Sequence, residues 1–182
     1  STFAPKPEDR TIIGDANPDF YYGLTNSINY KGFGLFVFLQ GTQGNDMLNV
    51  TRIETEGMID PKNQSIAVVN RWRQPGDITN IPRASWSNSD NSRVSTRFIE
   101  DGSYLRFKTI TLSYDLPQNV LDKLGITSLK IYGTGENIFT ITNYSGFDPE
   151  VNAYGGSNTI QGIDFGTYPQ TRNLILGINV TF

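Results

Sequence analysis

The residue types that do chemistry are scarce in this chain and poorly spaced for it. Among 182 residues there is no cysteine and no histidine. That removes disulfides, thiolate nucleophiles, Ser-His-Asp triads and His-ligated zinc. Gly133-Thr134-Gly135 lacks the later glycine and the Gly-Lys-Ser/Thr ending of a phosphate loop, and within a strand it predicts a bulge or a close backbone approach. Glu100 and Asp101 are adjacent, so an extended chain points them apart and they cannot flank one glycosidic bond. They read as turn carboxylates. Asp148, Glu150 and Asp164 are hard oxygen ligands of the kind calcium takes, but no EF-hand spacing joins them. The expectation is a loop ordered by hydrogen bonds. No catalytic residue, no metal site and no cofactor emerges.

Binding chemistry is better represented. Arg71, Arg73, Arg83, Arg93, Arg97 and Arg106 near Trp72, Trp86 and Phe98 mimic a nucleic-acid surface. Asp77, Asp90, Glu100 and Asp101 are interleaved with them, and the net charge is -3, so a mixed-charge loop is expected and no nucleic-acid partner. Trp72, Trp86 and Tyr154 are the aromatic candidates for stacking on sugar rings or contacting a partner protein. The 37% hydrophobic fraction omits 18 glycines, and with them the chain has the apolar share of an ordinary globular sequence.

Five segments carry the period-two alternation of strands. The first runs from about Asp19 to Tyr30, with Phe20, Tyr22, Leu24, Ile28 and Tyr30 on one face and Tyr21, Gly23, Thr25, Ser27 and Asn29 on the other. It is about twice the modal strand length. The second, 33–42, comes directly after Lys31-Gly32, a gap short enough for a tight hairpin. Both its faces are apolar, so the alternation does not say which one is outward. The third and fourth span 103–116 and 127–142. In the fifth, 171–182, Arg172, Leu174, Leu176, Ile178, Val180 and Phe182 alternate with mostly small and polar residues. Pro117 and Gly125 bracket a two-turn helix. Pro61–Arg73 and Asp46–Glu56 are further helix candidates.

The connections are as informative as the strands. Links 31–32 and 117–125 are short, links 43–102 and 143–170 are long, and residues 1–18 look like the end of another long one. Strict alternation places every long link at the same end of the strands. Long strands, polar–apolar alternation and segregated loops together point to an outer-membrane β-barrel. The longest apolar stretch, Phe33–Leu39, is far short of the ~18 residues of a spanning helix. Five strands cannot close a barrel with a lumen, since about eight is the minimum and plugged transporters reach roughly 22. The chain is therefore expected to be part of a larger assembly.

Several blocks carry a family resemblance. Asn17-Pro18-Asp19-Phe20 with Gly23-Leu24-Thr25-Asn26 resembles a strand start in the SusC/RagA family of TonB-dependent outer-membrane transporters. The likeness continues through Phe98-Ile99-Glu100-Asp101-Gly102-Ser103-Tyr104-Leu105-Arg106-Phe107-Lys108, Gly135-Glu136-Asn137-Ile138-Phe139-Thr140 and Tyr144-Ser145-Gly146-Phe147-Asp148-Pro149-Glu150. It ends at Gly162-Ile163-Asp164, Tyr168-Pro169, Gly177-Ile178-Asn179 and Phe182. It is weakest over about 50–97.

The resemblance implies an all-β fold: the C-terminal strands of a large antiparallel transmembrane barrel, with short helices in one outside loop and one periplasmic turn. Residues 1–18, 43–102 and 143–170 become extracellular loops, and Leu174, Leu176, Ile178 and Val180 face lipid. Phe182 becomes a terminal aromatic read by the barrel-assembly machinery. The implied function is import of oligosaccharides or peptides across the outer membrane of a Gram-negative bacterium, without enzymatic chemistry. The implied partners are the remaining barrel and plug, a SusD-like lid lipoprotein touching Trp72, Trp86 or Tyr154, TonB through an N-terminal part absent from these residues, and outer-membrane lipid. The rival reading is a soluble all-β adhesin or carbohydrate-binding module.

Overall fold

The computed structural model describes residues 6–86, 89–155, 157 and 159–182. Among the described residues there are eight strands, in chain order: β1 Phe20–Tyr30, β2 Phe33–Gln43, β3 Asp46–Asn49, β4 Ile99–Asp101, β5 Tyr104–Asp115, β6 Ser128–Thr142, β7 Ile163–Asp164 and β8 Asn173–Thr181. Two short helices, α1 Val50–Glu56 and α2 Gln118–Leu124, lie between them. The five long strands form one antiparallel sheet in the order β1-β2-β5-β6-β8. The three short ones form a second sheet, β4-β3-β7, built wholly from the long connections.

Turn chemistry sets the hairpin register. Lys31 (φ 47) and Gly32 (φ 86) both take positive φ, the two-residue turn whose twist matches the flanking strands. Tyr30 therefore pairs Phe33, and Leu24 pairs Leu39. This decides the question that alternation left open in β2: Leu35, Val37 and Leu39 share the face of Leu24 and Ile28, while Phe36 and Phe38 share that of Thr25 and Ser27. Carried across the ladders, the apolar face gathers Ile110 and Leu112 from β5, Ile131 and Leu129 from β6, and Leu174, Leu176, Ile178 and Val180 from β8. Aromatic pairs stand at both ends of it: Phe33 with Tyr114 near the hairpin turn, at 4.5 Å between ring centroids, and Phe107 with Phe139 at the loop end, at 6.2 Å. Leu174 and Leu176 are 85% and 89% exposed, so little of this chain covers that face. The 11 residues of β1 rise roughly 34 Å at about 3.4 Å per step. Tilted by ~40°, they match the ~25 Å apolar band of an outer-membrane barrel.

One irregularity decides what the opposite, polar face presents. Phe38 pairs Thr109 while Leu39 pairs Phe107, so Lys108 is skipped. On the other side Phe107 pairs Phe139 and Thr109 pairs Glu136, and Asn137 takes φ 51. A bulge adds one residue and re-aims the side chains beyond it. Below it Thr109, Thr111 and Ser113 lie on the polar face. Above it the parity switches, and Arg106 and Tyr104 join that face in rows with Gln40 and Thr140, and with Thr42 and Thr142. Unbroken alternation would have turned Arg106 toward the apolar side.

One sequence alternative is decided and two expectations are corrected. The bulge of β6 lies at Asn137–Ile138. Gly133 and Gly135 are in regular register with Leu176 and Leu174, whose side chains come within 3.3 and 3.6 Å of where a Cβ would stand, so the glycines serve close approach. The helix expected over Asp46–Glu56 begins at Val50, because the first four residues pair as β3 and Asn49 caps the helix through Arg52 N–H at 3.1 Å. Pro61–Arg73 yields a single 3-10 turn, Ile66–Asn70. Its β-branched run and the Ser65 hydroxyl, which accepts from Ala67 N–H at 3.2 Å, favour a short turn over a helix.

Inserting one residue between Phe38 and Leu39 of the full-length protein would give Lys108 a partner. It should restore plain alternation along β5, turn Arg106 toward the apolar side and sharply lower the folded fraction measured by heat-modifiable electrophoretic mobility. Lys108→Ala keeps the chain length and removes only a half-exposed ion pair at 3.5 Å; it should change stability by less than about 1 kcal/mol.

Candidate functional site

Arg106 is the hub of the loop end of the polar face. Its side chain is only 2% exposed, and its guanidinium donates to Asp148 at 2.5 Å, Glu150 at 2.8 Å and the Thr140 hydroxyl at 3.0 Å. A buried arginine needs such matching, because an unpaired charge in low dielectric is costly. Glu150 is further held by Gln40 Nε2 at 3.0 Å and Lys108 Nζ at 3.5 Å. Asp148 also accepts the backbone N–H groups of Glu150 and Gln170, each at 2.9 Å. It thereby ties both ends of the 143–172 connection to the barrel strand. Burial pushes the Asp148 carboxyl up, but Arg106 and those two N–H groups outweigh it and hold it below the ordinary carboxylate range.

A second carboxylate joins the two long connections to each other. Glu100, in β4, accepts Arg52 Nη1 at 2.8 Å, Asn49 Nδ2 at 3.2 Å, and the Ser145 N–H and hydroxyl at 2.8 and 2.9 Å. Burial again raises its pKa, and Arg52 with both Ser145 donors brings it below the ordinary value. Arg52 and Arg97 also share the buried Glu56, at 2.9 and 3.0 Å. Tyr144 donates its hydroxyl to Asp164 at 2.7 Å, while its ring packs with Met47 and Val151 in a small apolar cluster. The short sheet completes the joint: β7 pairs β3 in parallel, Leu48 against Ile163, and β4 pairs β3 from the other side. The first connection is tied in as well, through Asp46 N–H to Asp15 O at 2.7 Å and Asp15 N–H to Asp46 Oδ2 at 2.9 Å.

Between this loop platform and the polar face lies a recess of about 620 Å3. Its floor is Tyr21, Phe38 and Tyr104 from the strands, and Gln40, Val151 and Asn152 also line it.

The aromatic candidates read from the sequence are not gathered into this recess. Trp72 lines a separate one with Ile81, Pro82 and Arg97, Trp86 is 73% exposed, and Tyr154 is exposed on the 143–172 connection. Asp148 and Glu150 turn onto Arg106 while Asp164 is held by Tyr144, and among the described residues no group of carboxylates is arranged to hold a metal ion. Leu174, Leu176, Ile178 and Val180 lie along the uncovered apolar face, with Phe182 exposed beyond them. Sequence reading passed over Arg106 as one of several loop arginines. The available signal was a pair of cations, Arg106 and Lys108, inside an alternating strand, where partner carboxylates make sense.

Fold and site together define a section of a large antiparallel barrel wall, apolar on one face and polar on the other, with a knitted rim of loops. Comparison with known proteins gives it a kinship. The chain is 36% identical, over 96% of its length, to TonB-dependent receptor P3 of Formosa agariphila, and 28% identical over the same share to TonB-dependent receptor SusC of Bacteroides thetaiotaomicron. It spans 17% and 16% of the length of these relatives. All of it superposes on 19% of a chain in the RagAB peptide importer in its closed-closed state, with a TM-score of 0.84 and 25% identity. No family model matches the chain. The resemblance to SusC/RagA-type TonB-dependent receptors is borne out, and the antiparallel barrel fold with it.

Arg106→Met in the full-length protein leaves Asp148 buried without its cation, an uncompensated charge worth about 3–5 kcal/mol. Limited proteolysis should then cut within 143–172 while the barrel band stays intact. Asp148 and Glu100 are both depressed in the folded state, so their stabilisation is complete above their unfolded pKa and is lost as pH falls through the folded value. Protease resistance of the rim should accordingly hold at pH 5 and fall only below about pH 4.

Proposed function

We propose that this chain is wall and outside rim of a TonB-dependent outer-membrane transporter that imports oligosaccharides or peptides with a SusD-like lipoprotein over its mouth. The observation that carries the reading is the two-faced sheet: five long strands, one apolar face bounded by aromatic pairs, and an opposite face where Thr, Ser, Asn and Gln are mixed with aromatics such as Phe36, Phe38 and Tyr132. A soluble adhesin or carbohydrate-binding module would leave that apolar face in water, at about 25 cal/mol for each Å2 exposed. In this reading Leu174, Leu176, Ile178 and Val180 face lipid, and Phe182 continues their row as the assembly signal. The polar face lines a wet lumen. Residues 1–18, 43–102 and 143–170 are extracellular, with Trp86 and Tyr154 exposed and Trp72 half-buried on the side of the lid.

The open edges of β1 and β8 pair with the remaining strands of the same barrel, since backbone groups left unpaired in lipid cost several kcal/mol each. Energy comes from TonB through the plug, and transport needs no covalent chemistry, so the chain contributes no catalytic residue. The similarity to SusC and to the RagAB importer supports a lipoprotein partner and an outer-membrane location.

In the full-length protein, uptake of a labelled nutrient should disappear when TonB is deleted, and a lipoprotein should co-purify in detergent. Leu176→Arg, placed near the bilayer midplane, should cost about 2–4 kcal/mol and lower the amount of assembled barrel. A transporter that folds and stays monodisperse in buffer without detergent would refute the membrane reading.

A further inference from the structure

The recess beneath the loop platform is a candidate ligand site whose chemistry can be read from its lining. Its volume, about 620 Å3, falls within the range of small-molecule sites. The floor is aromatic and open. Tyr21 is 72% exposed, and the Phe38 ring lies over Gly23, 3.5 Å from where a Cβ would stand, so the missing side chain leaves a flat aromatic surface between them. The walls are amides: Gln40, Asn45, Asn152 and Gln161. Each carboxamide offers two donors and two acceptor lone pairs. Asn45 accepts one bond from Thr42, and Asn152 uses one donor on Ile160 O and accepts from Tyr154 N–H, so each keeps capacity in reserve.

Charge is the discriminating feature. Among the described lining residues only Glu150 is ionisable to a full charge near neutral pH. Its carboxylate is already matched: one oxygen accepts from Gln40, and the other faces Arg106 and Lys108. An acidic or basic ligand would enter a site with no free counter-charge and lose its hydration without replacement. Peptide termini and uronic acids both carry that penalty. A neutral pyranose does not, since it presents a C–H face to an aromatic ring and hydroxyls to amides.

We propose that this recess holds a sugar ring of a neutral oligosaccharide, with Tyr21 and Phe38 as the stacking floor and Gln40 and Asn152 as hydrogen-bonding walls. The proposal rests on the transporter reading and narrows its substrate from oligosaccharide or peptide to uncharged glycan.

The test is calorimetric titration of the full-length transporter in detergent. The probes are neutral malto-, cello-, xylo-, manno- and galacto-hexasaccharides, an oligogalacturonate and a tryptic casein digest. At least one neutral hexasaccharide should bind. Tyr21→Ala should weaken it about tenfold, roughly the 1.4 kcal/mol of one stacking contact, and Tyr21→Phe should keep the affinity. Heat-modifiable mobility of each variant verifies that the barrel is folded. Binding of the digest or the oligogalacturonate with no neutral sugar bound would overturn the site, as would neutral-sugar affinity unmoved by Tyr21→Ala. In either case TonB-dependent uptake would persist and the transporter reading would stand. Loss of that uptake requirement would instead remove both.

Discussion

The ion pair between Arg106 and Asp148 is the interaction on which the outside half of this chain depends. The arginine is buried on a strand and the aspartate on the connection that leaves the next strand, so the pair converts a flexible excursion into a fixed roof. Asp148 accepts from Gln170 as well, which closes the excursion at its far end. Its strength comes from completeness: guanidinium and carboxylates are each met by several partners, the condition under which buried charges are tolerated.

That pair exists because of a backbone irregularity. Period-two alternation is what makes a barrel wall two-faced, and it constrains every residue of a strand at once. The skipped Lys108 breaks the rule at one point and reverses it beyond. Below the break β5 keeps the simple pattern of a lipid-spanning strand. Above it the same strand contributes Arg106 and Tyr104 to the mouth. A single inserted position separates the part of the strand that keeps the plain two-faced pattern from the part that carries the loop platform.

Much of this was legible in the sequence. Alternation over 19–30 and 171–182, the Lys31-Gly32 turn and the unequal connections are local signals, and each depends on a few neighbouring residues. The short sheet was not legible, because β3, β4 and β7 are two to four residues long and owe their pairing to distant segments. The bulge was misplaced for a related reason. Gly133 and Gly135 mark backbone freedom, whereas the register shift opposite Lys108 falls at Asn137, a residue that also tolerates positive φ. The aromatic candidates were chosen by residue type in the loops, while the open aromatic floor came from Tyr21 and Phe38, which looked like ordinary strand residues.

The parallel pairing of Leu48 with Ile163 has a consequence for the order of assembly. The two segments are joined through two long strands, β5 and β6, and the connections around them, so bringing them together early would mean closing a very large loop against its entropy. The β1–β2 and β5–β6 hairpins close small loops and carry no such penalty, while β2–β5 and β6–β8 pair across the long connections themselves. Once β2, β5, β6 and β8 are zipped, the ends of both connections are already neighbours and the loop to be closed is short. The rim is thus the last element to take shape, and it forms only on a wall that has registered correctly.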